Sequence, residues 1–501
     1  MTDGSLTPIA GVAIAAWLAV GACLFIYGIH AYLMTWLFRR HGRSTPAPRR
    51  DAAGHGDRPI VTVQLPLYNE RYVAERLIEA VTALDWPRHR LEIQVLDDST
   101  DDTAERVARM VAGRRAAGFR IAHLTRAHRT GFKGGALREG LAAAAGEFVA
   151  VFDADFLPPP DFLLATIPHF NDPAVGMVQT RWEHLNERGS LLTRVQAVAL
   201  DGHFLVEQTA RNRSGAWINF NGTAGIWRRR AILDAGDWQD DTLTEDLDLS
   251  YRAQMAGWRF VFLPGVACPA ELPVDIDGFK GQQFRWAKGS VQTAMKLLPR
   301  ILRSNAGPWV KLQALIHLTN HAVYPLLLAL ALLSLPILVL HAHHPELRPF
   351  VTVATWFIVA SVGHPVLYLT AQERLRNRWK SRIVLMPALI AIGMGIAVNN
   401  TRAVIEALAG QASGFNRTPK YDLCRPGDSW RDKRYRVPPT AWPLVELAFG
   451  AWSATALGYA AFHGQWLAMP FLALYTAGFL AVGSASLARA VDTRPPLADA
   501  A

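Results

Sequence analysis

Three pairs of acidic side chains and one aromatic, basic segment have the residue types to perform chemistry together. The acids are Asp97-Asp98, Asp153-Ala154-Asp155 and Glu245-Asp246, and the segment is Gln282-Gln283-Phe284-Arg285-Trp286. Neighbouring carboxylates repel each other, so their repetition in a chain of net charge +10 indicates a charged partner. Mg²⁺ and Mn²⁺ bind carboxylate and phosphate oxygens, usually through one or two protein acids plus a diphosphate. The pattern therefore predicts a metal-bound nucleotide sugar and a carboxylate base.

The candidate metal ligands are Asp155 and Asp153, which directly follow the apolar run Phe148–Phe152. Such a run predicts a buried strand. At the fraying end of a strand, two alternate acids can converge on one cation. A solvated loop after the strand would contain the same residues, so both interpretations remain open.

The candidate base is Asp246, with Glu245 beside it, at the start of a predicted helix over Asp246–Met255. An acid at a helix N-terminus is stabilised by the helix dipole and can be no more than a cap. As a general base it would take the proton of an acceptor hydroxyl within hydrogen-bonding reach.

Candidate nucleotide-binding residues follow two other predicted strands. Tyr68 can stack on a base, and Glu70 can accept hydrogen bonds from a base or a ribose, although both also suit a polar turn. Asp97 and Asp98 can bind a nucleoside in the same way, but taken alone these residues favour the interpretation that Asp98 caps the next helix.

Lys133, in the glycine-rich segment Gly131–Gly135, can neutralise phosphate charge together with a helix N-terminus, or it can be a surface lysine. Arg285 can pair with a leaving diphosphate. Trp286 can stack on a sugar or anchor the chain in the aromatic belt of a membrane.

The segment around these residues alternates short apolar runs with helical patterns, which is typical of a parallel α/β sheet. Ligands of such sheets bind beyond the carboxyl ends of the strands, where most of the acids lie. The predicted strands are Ile60–Leu65, Glu92–Leu96, Phe119–Leu124, Phe148–Phe152, Gly176–Thr180 and Arg259–Phe262. The predicted helices are Glu70–Leu84, Thr103–Ala117, Gly135–Ala145, Leu191–Thr209 and Asp246–Met255.

Both ends of the chain are apolar enough to span a membrane. Pro8–Leu37 is followed by five arginines within residues 39–50, which predicts that its C-terminal end is cytoplasmic and its N-terminus outside. Four further spans are predicted at Ile316–Leu340, Phe350–Thr370, Ala441–Phe462 and Trp466–Leu487, and an amphipathic interfacial helix at Ser290–Lys311. Ile383–Val398 is short and has basic residues on both sides, so we predict an interfacial or re-entrant helix.

Composition excludes several other classes of protein. The three cysteines are scattered without metal-ligand spacing, which indicates neither disulfides nor a zinc site. Few charges lie within the apolar segments, which argues against a transporter. No nucleic-acid partner is predicted.

In this order, the aspartate, D-x-D, T-E-D and Q-Q-x-R-W motifs resemble those of family 2 glycosyltransferases of the processive, cellulose-synthase-like kind. Val95–Asp101 and Phe220–Gly225 are most similar to the mannan and glucomannan synthase branch and its bacterial relatives. The resemblance covers Ile60 to Lys288. It implies an α/β fold of the GT-A (Rossmann-like) type, inserted between one N-terminal and four C-terminal transmembrane helices.

The resemblance also implies a role for each matching residue. The nucleotide sugar would bind Tyr68, Glu70, Asp97, Asp98, Lys133, Asp153 and Arg285. Asp155 and Asp153 would bind Mg²⁺ or Mn²⁺, Asp246 with Glu245 would be catalytic, and Gln282, Trp286 and Asn221 would bind the acceptor. Phe415, Arg417, Thr418 and Lys420 are similar to the family's gating loop, F-x-V-T-x-K, although Arg417 and Pro419 are unusual there.

We therefore expect a multi-pass protein of the cell (inner) membrane that builds a β-linked polysaccharide from GDP-mannose or UDP-glucose. The alternative is transfer of one sugar to a membrane lipid, such as diacylglycerol or a polyprenyl phosphate. The expected partners are a nucleotide sugar, a glycan or lipid acceptor and the bilayer. The predicted parts are a first span (1–40), linker (41–58), cytoplasmic catalytic domain (59–289), interfacial helix (290–312), two spans (313–372), interfacial helix with basic loop (373–439), two spans (440–490) and tail (491–501).

Overall fold

The computed structural model describes residues 8–42, 58–344, 356–414, 417–423, 428–430, 433, 435 and 440–491. Most of the predicted linker, Phe415 and the predicted tail after residue 491 lie outside the described residues.

The centre of the chain folds into one seven-stranded sheet. Its strands are β1 Val61–Leu67, β2 Leu91–Asp97, β3 Arg120–Thr125, β4 Phe148–Val151, β5 Val175–His184, β6 Gly225–Arg228 and β7 Arg259–Ala270. Their order across the sheet is β3-β2-β1-β4-β6-β5-β7, and every pairing is parallel except those of β6, which is antiparallel to β4 and β5. This is the mixed α/β sheet of a GT-A-like domain.

Successive side chains of each strand point to opposite faces of the sheet, so buried residues lie on both faces. In β1, Val61, Val63 and Leu65 are fully buried in one hydrophobic cluster. Thr62 and Gln64 between them are also buried but point to the other face, where Gln64 Nε2 donates to Gln94 Oε1 at 3.0 Å. Residues buried on both faces are expected for a parallel sheet that helices cover on each side.

The helices of the α/β domain connect and cover these strands. They are α2 Ala74–Thr82, α3 Thr103–Ala116, α4 Phe132–Ala143, α5 Phe162–Thr166, α6 Leu191–Asp201, α7 Thr209–Arg213, α8 Arg229–Asp234 and α9 Glu245–Met255, after α1 Pro8–His41. A π-helical segment, Gly202–Gln208, joins α6 to α7. The remaining helices are α10 Ile276–Arg303, α11 Pro308–Leu318, α12 Val323–His343, α13 Gly363–Leu375, α14 Met386–Gly395, α15 Ala397–Leu408, α16 Trp442–Phe462 and α17 Met469–Val491.

All six predicted strands are present, but several features differ from the prediction. The predicted helix Glu70–Leu84 begins at Ala74, and the predicted helix Leu191–Thr209 contains the π-helical segment. The short strand β6 was not predicted, because four residues are too few to show alternation. Helix α4 begins at Phe132, so Lys133 lies in its first turn rather than in a turn before it. The predicted interfacial helix Ser290–Lys311 does not begin at Ser290: α10 runs without a break from Ile276 to Arg303, and α11 begins at Pro308.

Apolar helices lie near both ends of the chain. Among the described residues, Pro8–His41, Asn320–His343 and Met469–Ala490 are long and apolar enough to cross a membrane, and the pair Trp379–Gly395 and Ala397–Leu408, bent by 40°, would make a fourth as a broken span or form a re-entrant loop. The predicted count of four spans after the sheet is therefore not confirmed. Helix α16 is not among the candidates, and it carries Glu446, which is fully buried and ion-paired with Lys280 of α10 at 2.6 Å. The predicted span Phe350–Thr370 lies partly outside the described residues.

Helix α10 packs on the start of α9 at Gly289. A Cβ atom at this position would lie 2.6 Å from Thr244 Cγ2 and 2.8 Å from the Thr244 backbone nitrogen. Any larger residue must therefore push α10 away from the acidic turn that opens α9.

We predict that Gly289→Ala lowers the free energy of unfolding by about 1–3 kcal/mol, because overpacking forces the two elements apart. The matched control is Gly281→Ala on the same helix, where an added Cβ meets no atom of the described residues within 4 Å. Alanine favours the helix by about 0.5–1 kcal/mol over glycine, so the control should be neutral or stabilising. Thermal unfolding in detergent measures both, and equal shifts for the two variants would contradict the packing argument.

Candidate active site

One cleft collects most of the predicted residues at the carboxyl edge of the sheet. The ends of β1, β2, β4, β5 and β7, the start of α9, helix α10 and the segment 417–420 form its walls. The predicted residues that line it are Tyr68, Glu70, Asp98, Lys133, Asp153, Asp155, Asn221, Glu245, Asp246, Gln282, Arg285, Trp286, Arg417, Thr418 and Lys420. Residues from positions 68 to 420 thus converge on a single site.

At one end of the cleft, two arginines contact the predicted nucleoside-binding residues. Arg126 forms a two-pronged ion pair with Asp98, through Nε–Oδ1 at 2.9 Å and Nη2–Oδ2 at 2.5 Å. The guanidinium of Arg129 stacks on Tyr68, 3.4 Å from the ring centroid. A flat, cationic and aromatic surface results, which suits a base and its phosphates.

Asp97, which the resemblance predicts to bind the nucleotide sugar, does not line this cleft. Its side chain is fully buried. One oxygen accepts from the backbone N–H of Ser99 at 2.9 Å, and the other contacts His123 Nε2 at 2.9 Å. Adjacent residues of a strand point to opposite faces, so only one of the pair Asp97-Asp98 can face the cleft.

Asp153 lies against Lys133 in the middle of the cleft. Lys133 Nζ is 2.5 Å from Asp153 Oδ1 and also donates to the backbone oxygen of Gly222 at 2.9 Å. The backbone N–H of Asp153 donates to Thr223 Oγ1 at 2.9 Å. These contacts join the D-x-D turn to helix α4 and to the loop before β6.

The side chain of Asp155 is buried and forms an ion pair with a lysine from the C-terminal part of the chain. Lys420 Nζ lies 2.7 Å from Asp155 Oδ2 and donates to the backbone oxygen of Glu271 at 3.1 Å. The carboxylate of Glu271 accepts from the backbone N–H groups of Tyr421 and Asp422, at 2.8 and 3.0 Å. Glu271 thereby fixes the segment that delivers Lys420.

The acids suit a divalent cation in chemistry and number. Among the described residues, no three His, Cys, Asp or Glu side chains already form a metal cage. Two carboxylates plus phosphate and water oxygens are nevertheless the usual environment of Mg²⁺. Burial raises the pKa of Glu70 to about 8, opposed by Arg417 and reinforced by Asp155 and Asp153. The three carboxylates therefore repel one another, and a cation at Asp153 and Asp155 would relieve that repulsion.

Asp246 occupies the first turn of α9 and faces the loop that contains Gly222. Its Oδ1 accepts from the Leu247 backbone N–H at 2.8 Å, and a Cβ at Gly222, where φ is +80°, would lie 2.9 Å from Oδ2. Burial, and then the neighbouring charge of Glu245, raise the pKa of Asp246 to about 7. A carboxylate with such a pKa can exchange a proton near neutral pH, as a general base must.

Helix α10 supplies Gln282, Arg285 and Trp286 to the cleft from one side. Arg285 Nη2 donates to Thr418 Oγ1 at 2.7 Å. Burial lowers the pKa of Arg285 to about 10, although Asp153 and Glu245 oppose the shift. The ring of Trp286 lies 6.5 Å from that of Trp182, so two indoles border this end of the cleft.

The segment 417–420, predicted as part of a gating loop, lies in the cleft. Besides the contacts of Thr418 and Lys420, Arg417 Nη1 is 3.7 Å from Glu70 Oε1, and its guanidinium lies 4.1 Å from the ring centroid of Tyr435. Three successive polar side chains of this segment therefore contact three different elements of the site.

Sequence reasoning missed five residues of this site: Arg126, Arg129, Trp182, His184 and Glu271. The two arginines directly precede the glycine-rich segment in sequence. Because that segment was a predicted phosphate site, its neighbouring arginines could have been predicted as part of the site. Trp182 and His184 end β5, and Glu271 follows β7, both of which extend beyond the predicted strands.

Comparisons with known proteins agree with this architecture. Residues 58–289 match a family model described as "Glycosyltransferase like family 2". The chain is 38% identical over 372 residues to a probable glucomannan 4-beta-mannosyltransferase 7 of Oryza sativa subsp. japonica, covering 73% of this chain and 61% of the rice protein. It is 33% identical over 450 residues to the probable glucomannan 4-beta-mannosyltransferase 3 of the same plant, covering 86% of this chain and 78% of that rice protein. It is 44% identical over 256 residues to glucomannan 4-beta-mannosyltransferase 2 of Arabidopsis thaliana, covering 50% of this chain and 48% of the Arabidopsis protein.

In four glucomannan 4-beta-mannosyltransferases of rice and Arabidopsis, two of which are named above, the match spans between 47% and 61% of their length. Among solved structures, the mannosyltransferase PcManGT from Pyrobaculum calidifontis, in complex with GDP-Man and Mn²⁺, is similar with 25% identity and a TM-score of 0.51. The similarity covers 70% of this chain and 98% of the archaeal chain.

We predict that Lys420→Met tightens binding of Mn²⁺ on the order of tenfold in the absence of a donor, because an ammonium no longer competes for the buried Asp155. Methionine keeps the length of the side chain. Titration followed by electron paramagnetic resonance of free Mn²⁺ measures the affinity. The matched control is Lys433→Met, since Lys433 contacts the ring of Tyr72 and no acid of the cleft. Unchanged or weaker Mn²⁺ binding in the Lys420 variant would contradict the expectation.

Proposed function

The chain belongs to family 2 of the glycosyltransferases, and we propose that it is a membrane-bound inverting hexosyltransferase that extends a β-linked polysaccharide from a nucleotide sugar. The observation that carries this proposal is the convergence, in one cleft, of the two D-x-D acids, the raised-pKa carboxylate of Asp246 and the Gln282, Arg285 and Trp286 side chains of α10.

In the proposed mechanism, Asp246 accepts the proton of an acceptor hydroxyl. The hydroxyl oxygen then forms a bond to the anomeric carbon of the donor, while the bond from that carbon to the diphosphate breaks and its electron pair leaves with the phosphate. One displacement inverts the anomeric centre, so an α-linked donor gives a β-linkage. Position and charge, rather than a covalent intermediate, account for the rate.

Cationic side chains on both sides of the cleft would hold the leaving diphosphate. Lys133 adds charge in the first turn of α4, where the positive end of the helix dipole also favours anions. Arg285 adds charge from α10. A divalent cation at Asp155 and Asp153, when bound, would offset the negative charge on the leaving group.

GDP-mannose is the donor that the relatives favour over UDP-glucose. The plant relatives are described as glucomannan mannosyltransferases, and the archaeal neighbour was solved with GDP-Man and Mn²⁺. Tyr68, Arg129 and Asp98 would bind the guanosine end, and Trp286 with Trp182 would stack on the acceptor sugar.

The apolar helices support an enzyme that is embedded in the cell membrane with its catalytic domain in the cytoplasm. Arg39 and Arg40 end α1, which favours an N-terminus outside and a sheet domain inside. We retain five spans in the proposal, with the pair α14 and α15 as a re-entrant segment. The growing glycan would leave outward among the helices, because polar groups at membrane depth are tolerated only where they line a cavity.

The segment 417–420 would act as a lid over the donor. Arg417 and Lys420 reach two acids of the cleft, Glu70 and Asp155, and Thr418 holds Arg285. When a donor diphosphate is present, the same side chains can pair with phosphate oxygens.

The experiment that tests the function is incubation of the full-length protein in membranes with labelled GDP-mannose, UDP-glucose and other nucleotide sugars. We expect GDP-mannose to give an insoluble β-linked polymer. Asp246→Asn should reduce transfer by at least about 100-fold, since general base catalysis contributes that much or more. Donor binding should remain, because asparagine has the same shape.

Asp241→Asn is the matched control, because Asp241 is half exposed, pairs with Lys296 outside the cleft and should leave transfer unchanged. An active Asp246→Asn protein would remove Asp246 as the base. A labelled glycolipid without polymer would instead establish the single-transfer alternative, and no transfer from any donor would overturn the enzyme assignment.

We also predict that the transfer rate rises between pH 6 and pH 8. The pKa of Asp246 is raised to about 7, so the carboxyl group is largely protonated below that value and cannot accept a proton. Above it the carboxylate predominates, and the rate should level off. Measuring kcat at saturating donor over this range tests the prediction, with donor binding followed in parallel as the control. A rate that falls or stays constant as the pH rises through 7 would contradict it.

A further inference from the structure

A π-helical turn, Gly202–Gln208, lies beside the cleft and contacts Asn221. Segments of π-helix are rare and occur frequently at functional sites. Asn221 lines the cleft and immediately precedes Gly222, whose backbone lies against Asp246. Asn221 and the group that we propose as the base therefore line the same cleft.

The π-helical turn holds the oxygen of the Asn221 side chain through Gln208. Gln208 Nε2 donates to Asn221 Oδ1 at 2.8 Å; Gln208 is buried, and Asn221 is half-buried. The backbone of Asn221 is held as well, since its N–H donates to Gln179 Oε1 at 2.9 Å.

The same turn holds the nitrogen of the side chain through His203. Asn221 Nδ2 lies 3.4 Å from His203 Nε2, and His203 Nδ1 lies 2.8 Å from Glu207 Oε2. The carboxylate of Glu207 accepts from the Nδ1–H of His203, so in the neutral imidazole Nε2 is left to accept from Asn221 Nδ2.

These contacts define one orientation of the Asn221 amide. Gln208 requires the oxygen on its side, and His203 requires the nitrogen on the other. A primary amide has two N–H groups and two oxygen lone pairs, and the two contacts use one of each. The second N–H and the second lone pair are those that Asn221 can present to the cleft.

We propose that His203 and Gln208 are positioning residues, which orient the Asn221 amide so that it recognises a hydroxyl-bearing acceptor sugar beside Asp246. This inference rests on the proposed function. An amide with a fixed orientation donates at one point and accepts at another, so it selects the arrangement of neighbouring sugar hydroxyls. The acceptor hydroxyl is thereby held toward the base, and water is a poorer competitor for the donor.

The test uses the full-length protein with the labelled nucleotide sugar that the wild type transfers and β-linked oligosaccharide acceptors. His203→Phe removes the acceptor for Asn221 Nδ2. We expect the acceptor KM to rise about tenfold, as for loss of a hydrogen bond. The fraction of sugar given to the oligosaccharide rather than to water should fall, while the donor Kd stays unchanged. His203→Gln, whose Oε1 can still accept, should restore most of the wild-type ratio.

Gln208→Glu is a second variant of nearly the same shape, which replaces the donor to Asn221 Oδ1 by an acceptor and should lower the transfer ratio in the same way. His169→Phe is the matched control, since His169 is buried in the same domain but does not line the cleft. It should leave the ratio unchanged.

Two results would overturn the inference: equal losses of donor hydrolysis and transfer in His203→Phe, or no recovery in His203→Gln. A wild-type protein that uses no nucleotide sugar would instead refute the proposed function itself, so the two failures are distinguishable.

Discussion

Repulsion among carboxylates at one edge of the sheet is the constraint on which the rest of this structure depends. Burial raises the pKa of Glu70 to about 8, and the nearby negative charges of Asp155 and Asp153 add to that shift. Such a cluster is stable only if cations reach it. Lys133 comes from α4, Lys420 and Arg417 from the segment before α16, so distant parts of the chain must fold onto the sheet to complete the site.

Pairing of buried charges also joins the catalytic cleft to the C-terminal helices. Helix α10 carries Arg285 and Trp286 to the cleft and is fixed to later helices by ion pairs. Lys280 lies 2.6 Å from Glu446 of α16, and Lys288 lies 2.9 Å from Glu406 of α15. Buried pairs contribute little net stability, but removing one partner leaves a buried charge without compensation. They therefore specify where α10 sits relative to α15 and α16 more than they strengthen the fold.

Much of the site was predictable because strand ends carry a local signal. The acids after β1, β2 and β4 follow apolar runs, and parallel strands bring their carboxyl ends to one edge. The partners of those acids were not predictable, since Lys420 is separated from Asp155 by 265 positions and no local pattern links them. The unbroken course of α10 was also hidden, because its glycines and the change from polar to apolar composition near Ser290 resemble a domain boundary. Asp97 and Asp98 show the remaining difficulty: adjacent acids look equivalent in sequence, whereas only Asp98 faces the cleft.

Lys133 connects the two halves of the proposed reaction. Its ammonium lies 2.5 Å from Asp153 on the donor side, 2.9 Å from the backbone oxygen of Gly222 on the acceptor side, and 3.9 Å from Glu245. A lysine ammonium has three N–H groups that point in different directions, whereas the guanidinium of arginine is a planar fork. Lysine thus suits a position among three separate oxygens. Gly222 adjoins both Asn221 and Asp246. The Lys133 side chain therefore links the charge of Asp153 to the proposed base and to the acceptor-binding amide.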